Sequence, residues 1–339
     1  KEVRKIKHTG EVSCVALVSD GSRVVSGQGK QVLIWDCNTG SNIKGLSKHT
    51  GAVRRVAVSP GGDKIVSGSQ DMTVMVWDMK GLSHIMTLQG HQGVVRGVSI
   101  GDGRVVSCGQ DKEVRVWELG SGRCEHVLKG HTDDVRGVSA SSDGRLAASC
   151  SFDKTVRVWD LATGQEVSTM EGHTDKVFGV AMAGDGGTVV SCSWDMSVRV
   201  WDVETGQAVG KPMQAPSQPG STGSIGSVGS IGSVMSVAMK RLAMTGHEKE
   251  VLDVAITSDG GRAVSGSVDG TVRIWDVGSG GQLAKCQGHS DWVMGVAVTP
   301  NGSLAASGGR DGTLRLWTMS GKEVRKIKHT GEVSCVALV

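Results

Sequence analysis

Four residue types, His, Ser, Asp and Trp, return along this 339-residue chain at nearly fixed spacing, and that recurrence constrains the fold more than any local propensity does. His131, Ser149, Asp153 and Trp159 set the pattern, and His173, Ser191, Asp195 and Trp201 repeat it forty-two residues later. His247, Ser265, Asp269, Trp275 and His289, Ser307, Asp311, Trp317 keep the same intervals of eighteen, four and six. Trp35, Trp77, Trp117, Trp159, Trp201, Trp275 and Trp317 count seven units. Such a period belongs to supersecondary units that bury their faces by stacking. It also disarms a tempting reading. Ser, His and Asp suggest a hydrolase triad, but a nucleophile is needed once, not seven times.

Within a unit the pattern is that of short strands. In the fourth, residues 135–139 and 145–148 read as two strands joined by Ser142-Asp143-Gly144, with similar turns at Gly184-Asp185-Gly186-Gly187 and Pro300-Asn301-Gly302. Asp-Gly and Asn-Gly pairs supply the positive φ of tight hairpins. The third strand alternates: Val156 and Val158 face one way and Arg157 the other. A Thr-Gly or Ser-Gly turn, as at Thr163-Gly164, then leads to a fourth, outer strand. The Arg of the third strand (Arg115, Arg157, Arg199, Arg273, Arg315) recurs with the unit and is expected to pack its stem on the neighbouring unit.

Gly90-His91, Gly130-His131, Gly172-His173, Gly246-His247 and Gly288-His289 open their units, and a Trp usually followed by Asp closes each. Lys7-His8 and Lys48-His49 stand in the first two. This wording resembles the WD40 family, whose signature is a Gly-His start and a Trp-Asp end. The resemblance implies an all-β fold, a seven-bladed β-propeller of four-stranded antiparallel blades, forming one domain over residues 1–339. It also implies that each quartet is a hydrogen-bonded structural network inside its blade. Blade 1 departs: Ser26 to Trp35 is nine residues rather than ten, and Gly29 stands where the Asp belongs, so its network is expected to be incomplete and the blade soft.

The net charge of +3 does not argue for nucleic acid or an anionic membrane as partner, and no run of about 20 apolar residues exists to span a bilayer. The eight cysteines are spread without a C-x-x-C pair, and Cys108, Cys150 and Cys192 follow the repeat Ser as small core residues, which fits a reducing, cytoplasmic setting. Beyond the motif histidines only His84 and His126 remain, so no metal, cofactor or catalytic residue is expected. The start, without an initiator Met or an apolar leader, is expected to mark an excerpt of a longer protein.

Two segments break the period. Residues 210–240, with Pro212, Pro216 and Pro219 followed by a Gly-Ser-Ile/Val repetition, are expected to be a flexible low-complexity insertion in blade 5, the chain resuming as outer strand near Leu242. Residues 1–18 and 322–339 are identical in all eighteen positions, which puts a duplicate at the ring closure. Residues 3–7 and 324–328 are rival outer strands for blade 7. Residues 12–18 are tethered to their hairpin partner, so the second copy, at least from Glu332 to Val339, is expected to be loose, swapped or an artificial overlap.

The chain has no Tyr, and four aromatics lie outside the repeat: Phe152, Phe178, Trp194 and Trp292. Phe152 and Trp194 precede the turn Asp; Trp292 lies three and Phe178 five residues after the repeat His. Strand periodicity puts positions three and five on one face, and the resemblance puts all these slots around the mouth of the channel. Arg54, Arg96 and Arg136 hold the five-after-His slot of blades 2–4, Lys176 a three-after-His slot, and Arg310 precedes the Asp of blade 7. A basic arc running into an aromatic cluster suits an acidic or phosphorylated peptide with an apolar anchor. The expected function is therefore a non-catalytic scaffold that binds a partner peptide or domain there, as part of a larger chain or complex. The alternatives are a ligand-sensing propeller of a larger signalling protein and an enzyme or small-molecule site in the channel.

Overall fold

The computed structural model describes residues 12–18, 22–37, 39–208, 211–212, 242–299, 302–328 and 332–333. Seven sheets follow one another in sequence order, antiparallel throughout except where residues 211–212 pair in parallel with Leu242–Thr245 of blade 5. Blade 4 shows the plan: Val135–Ala140, Leu146–Ser151, Val156–Asp160 and Glu166–Met170, each paired with the next. The first strands of successive blades lie side by side around the axis. The chain is a seven-bladed β-propeller. Its core is built between blades, where the Val of one second strand packs under the Trp of the next blade, as Val190 does against Trp275. Most of blade 5's inserted segment lies outside the described residues. Its two flanks share the outer-strand position, Ala208 bridging Trp201 and Leu242–Thr245 pairing with Ser197–Asp202.

Each first strand shifts register near its start, between Val135 and Gly137 in blade 4 and between Val53 and Arg55 in blade 2. The residues on either side of that bulge pair with the second strand at its crowded centre. Gly97, Gly137 and Gly179 sit opposite Cys108, Cys150 and Cys192, and blade 1 inverts the pair, with Cys14 opposite Gly27. The space holds one side chain. A Cβ on Gly179 would lie 2.9 Å from Cys192 Sγ, and one on Gly27 would lie 2.6 Å from Cys14 Sγ. The cysteines are thus fillers, and burial pushes the Cys150 thiol up to about 12. Gly179→Cys alone is expected to cost about 1–3 kcal/mol through overpacking. The swap Gly179→Cys/Cys192→Gly, which copies blade 1, should recover most of it in urea denaturation; a swap no more stable than the single variant would refute the pairing.

Three of the third-strand arginines turn their guanidinium groups onto their own blade. Arg157 bonds Glu166 of its outer strand, Arg273 bonds Gln282 and Arg315 bonds Glu323. The same guanidinium covers the bare glycine before the repeat His, where a Cβ on Gly130 would meet Arg157 Nη1 at 2.5 Å. This explains the two exceptions. Where Lys7 and Lys48 replace that Gly, Leu33 and Met75 replace the Arg.

Ring closure departs from expectation as well. Glu323–Lys328 forms the outer strand of blade 7 and Val12–Leu17 the first strand of blade 1. Residues 3–7 lie outside the described residues. The second copy is not loose at Glu332 and Val333: Glu332 pairs with Arg310 at 2.7 Å, and the Val333 amide donates to Gly309 O at 3.0 Å. That bond repeats the one from Val53 N to Gly29 O between blades 1 and 2. Val53, Val95, Val135, Val177, Val251 and Val293 open their first strands fully buried, and Val333 is 7% exposed against Ala297 and Ala306. Val12 lies beside it in a parallel bridge and is only half-buried. The second copy therefore fills the seam against blade 7 while the first keeps the pairing within blade 1. Val333→Ala is expected to cost about 1–2 kcal/mol and Val12→Ala under half that, read by thermal unfolding. The reverse order would return the seam to the first copy.

Candidate functional site at the channel mouth

Each complete network is a chain of donors. In blade 4, Trp159 Nε1–H donates to Ser149 Oγ, the Ser149 hydroxyl to His131 Nε2, and His131 Nδ1–H to Asp153 Oδ2, each at 2.8 Å. The tautomer follows from the indole, which can only donate and leaves the hydroxyl proton for the imidazole. The chain repeats in blade 5 (Trp201, Ser191, His173, Asp195), blade 6 (Trp275, Ser265, His247, Asp269) and blade 7 (Trp317, Ser307, His289, Asp311). Blades 2 and 3 keep it too, although His91 and Ser107 stand two residues closer than the other pairs. Sequence reasoning missed a fifth member. Two residues after the Asp, the hydroxyls of Thr73, Thr155, Ser197 and Thr271 donate to its other oxygen, and that of Thr313 to the oxygen His289 also uses, at 2.6 to 2.7 Å. The repeated Asp-x-Thr/Ser was the available signal. Blade 1 keeps the bond from Trp35 to Ser26 at 2.8 Å, but its hairpin turns on Gly29-Lys30 without a carboxylate, and His8 lies outside the described residues.

These networks set the end of the ring on which the predicted site residues fall. The residue before the Asp donates its amide to the carbonyl three after the His: Phe152 to Asp134, Trp194 to Lys176, and Arg310 to Trp292. The two slots are therefore neighbours. Phe178 and Trp194 stack with centroids 4.9 Å apart, and Phe152 lies 5.1 Å from Phe178. Arg136 lies over Phe178 at 4.9 Å, and Lys176 lies over Phe152 at 4.6 Å and Trp194 at 5.2 Å. Blade 7 carries a separate pair, Arg310 over Trp292 at 5.0 Å, with Trp292 39% exposed. The predicted patch is thus two patches. Phe152, Phe178, Trp194, Arg136 and Lys176 form one, Trp292 and Arg310 the other.

Positions three and five after the His do not share a strand face. Position three precedes the strand, and the bulge turns positions five and six inward together. Position five lines an axial cavity of about 320 Å³. Blade 1 gives Ser13, blades 2–4 give Arg54, Arg96 and Arg136, and blades 5–7 give Phe178, Leu252 and Met294. Position six adds Arg55 and Asp253 to a row otherwise made of glycine and Cys14. Burial pushes the Asp253 carboxyl up, although Arg55 and the amide of Val296, 2.9 Å away, work against it.

A family model described as "WD domain, G-beta repeat" matches residues 1–36, 40–78, 82–118, 122–160, 164–202, 239–276 and 280–318. The chain belongs to the WD40 repeat family. It is 33% identical over 92 residues to an uncharacterized WD repeat-containing protein of Schizosaccharomyces pombe, covering 27% of this chain and 18% of that one. It is 30% identical over 90 residues to the small ribosomal subunit protein RACK1 of Neurospora crassa, covering 26% and 28%. The matched stretch spans less than a third of either relative.

In this WD40 propeller the Ser–His–Asp arrangement cannot present a nucleophile. Ser149, Ser191, Ser265 and Ser307 are 0% exposed, and each hydroxyl is held by the indole and the imidazole. The network does respond to acid. Burial alone would raise Asp71 and Asp311, but the bonds from Thr73, His49, His289 and Thr313 outweigh it and hold both at about 2; Asp153, Asp195 and Asp269 lie lower still. Burial pushes His49, His173, His247 and His289 down despite their Asp partners. A lowered carboxyl contributes stability above its unfolded value near 3.8 that is lost as pH falls toward its folded value. A lowered imidazole acts with the same sign, because below 6.5 the unfolded chain takes up the proton first. The melting temperature should therefore fall steadily from pH 7 to pH 3 in calorimetry; a plateau down to pH 4 would contradict the neutral-His network.

Proposed function

We propose that this propeller is a non-catalytic interaction scaffold and that the mouth over blades 4 and 5 docks a partner protein or peptide. The observation that carries the reading is the stack of Phe178 and Trp194 with Phe152, flanked by Arg136 and Lys176. No blade network uses these rings, and half-exposed aromatics beside cations are the composition of binding hot spots. Membership of a family whose propellers generally bind proteins supports it. The chemistry favours a segment with an apolar anchor for the rings and an acidic or phosphorylated group for Arg136 and Lys176. A reducing, cytoplasmic setting belongs to the proposal, supported by the free thiols of all seven described cysteines.

The test compares partners captured from cell lysate by the wild type and by Lys176→Ala/Trp194→Ala. Trp292→Ala serves as a control on the separate blade 7 patch. The proposal expects the double variant, with unchanged melting, to lose a specific set that Trp292→Ala retains. Equal capture by all three would move the docking surface elsewhere.

A further inference from the structure

The axial cavity has a chemistry of its own, beyond a docking surface for proteins. We propose that it is a binding site for a multiply charged phosphate-type anion, held by Arg54, Arg96 and Arg136 from three adjacent blades together with Arg55. The cavity, about 320 Å³, is of small-ligand size. The Nε–H groups of Arg54, Arg96 and Arg136 are enclosed without an acceptor, as are those of Arg115, Arg157, Arg199 and Arg273 in the third strands, so what marks the site is the convergence of the guanidinium groups on one cavity.

The facing carboxyls offset these charges only in part, Asp134 through its ion pair with Arg96 and Asp253 beside Arg55. Asp134 stops 3.9 Å from Arg96, Glu332 is turned onto Arg310 at 2.7 Å, and Asp253 accepts the Val296 amide. Burial, with the Arg96 charge adding to it, pushes the Arg136 guanidinium down from its usual range; burial and Arg54 do the same to Arg96 against the pull of Asp134. Like charges gathered around a void are therefore held against their own repulsion, and a bound anion relieves it. Three forks approaching from three blades exceed what the two oxygens of one carboxylate can accept. A tetrahedral oxyanion of several charges matches them. Phe178, Leu252 and Met294 on the opposite side leave an apolar wall for an organic remainder.

The inference does not depend on docking at the mouth. Arg136 borders both, so the test leaves it unchanged. The whole chain is titrated calorimetrically with pyrophosphate, with N-acetyl-phosphoserine amide and with sulfate at matched ionic strength. Saturable micromolar binding of pyrophosphate or the phosphoserine amide at one site is expected, and Arg54→Met/Arg96→Met should weaken it by about 30-fold or more. Without anion the double variant should melt no lower than the wild type, which separates lost binding from lost folding. Tighter binding of pyrophosphate assigns the site to a free small molecule; tighter binding of the phosphoserine amide assigns it to a modified side chain brought by a partner. Sulfate binding as tightly as both, no saturation below millimolar, or unchanged affinity in the double variant overturns the proposal.

Discussion

The hydroxyl of the repeat serine has one proton to give and lone pairs to receive, and six of the seven blades use both. It takes the indole proton of the third strand and passes its own to the histidine that precedes the first strand, so that Trp117, Ser107 and His91 are joined with no polar atom of the three left over. Each bond adds about 0.5–1.5 kcal/mol net, but leaving any one member unpaired in the interior costs about 1–3 kcal/mol. The arrangement therefore acts as a lock on register. Slip one strand by a residue and the whole chain of donors is orphaned. The carboxylate at its end, gripped in blades 2 and 4 to 7 by a Thr or Ser hydroxyl two residues on, ties the lead-in of the first strand to the turn of the second. That tie sets the slots on which Lys176, Trp194, Trp292 and Arg310 are displayed.

Around this lock, packing is settled by pairs in which one partner gives way. Gly179 yields to Cys192, Gly27 to Cys14, and the glycine before the histidine yields to the arginine of the third strand. Blades 1 and 2 replace both the glycine before the histidine and the arginine, while blade 7 keeps glycine on both sides of the first pair, at Gly295 and Gly308. Such coupling lets the units drift in sequence while the backbone repeats.

Much of this was legible in the chain itself. The quartet predicted seven four-stranded blades, and the aromatic slots predicted that Phe152, Phe178 and Trp194 would meet. The bulge was not legible, because period-two reasoning assumes an unbroken strand, and the extra residue turns both Arg54 and Arg55 toward the axis. The partners of the third-strand guanidinium groups were not legible for a similar reason. Glu166, Gln282 and Glu323 lie on outer strands whose register cannot be read without the turn. The seam at Val333 escaped because identical sequences carry no information on which copy wins a slot. That is decided by the geometry of blade 7, where Ala297 and Ala306 leave room for one buried valine.

A scaffold with seven near-equivalent blades has no intrinsic reason to place charge on one side. Yet position five is arginine in blades 2, 3 and 4 and apolar in blades 5, 6 and 7, and the rings that stack on Arg136 stand at the boundary between the halves. Stability does not require this division, since Leu252 and Met294 fill the slot without leaving a polar atom unpaired, whereas Arg54 and Arg96 leave one each. The same unpaired Nε–H recurs in Arg157 and Arg273, which serve the fold, so what sets the axial arginines apart is their convergence on one cavity from three adjacent blades.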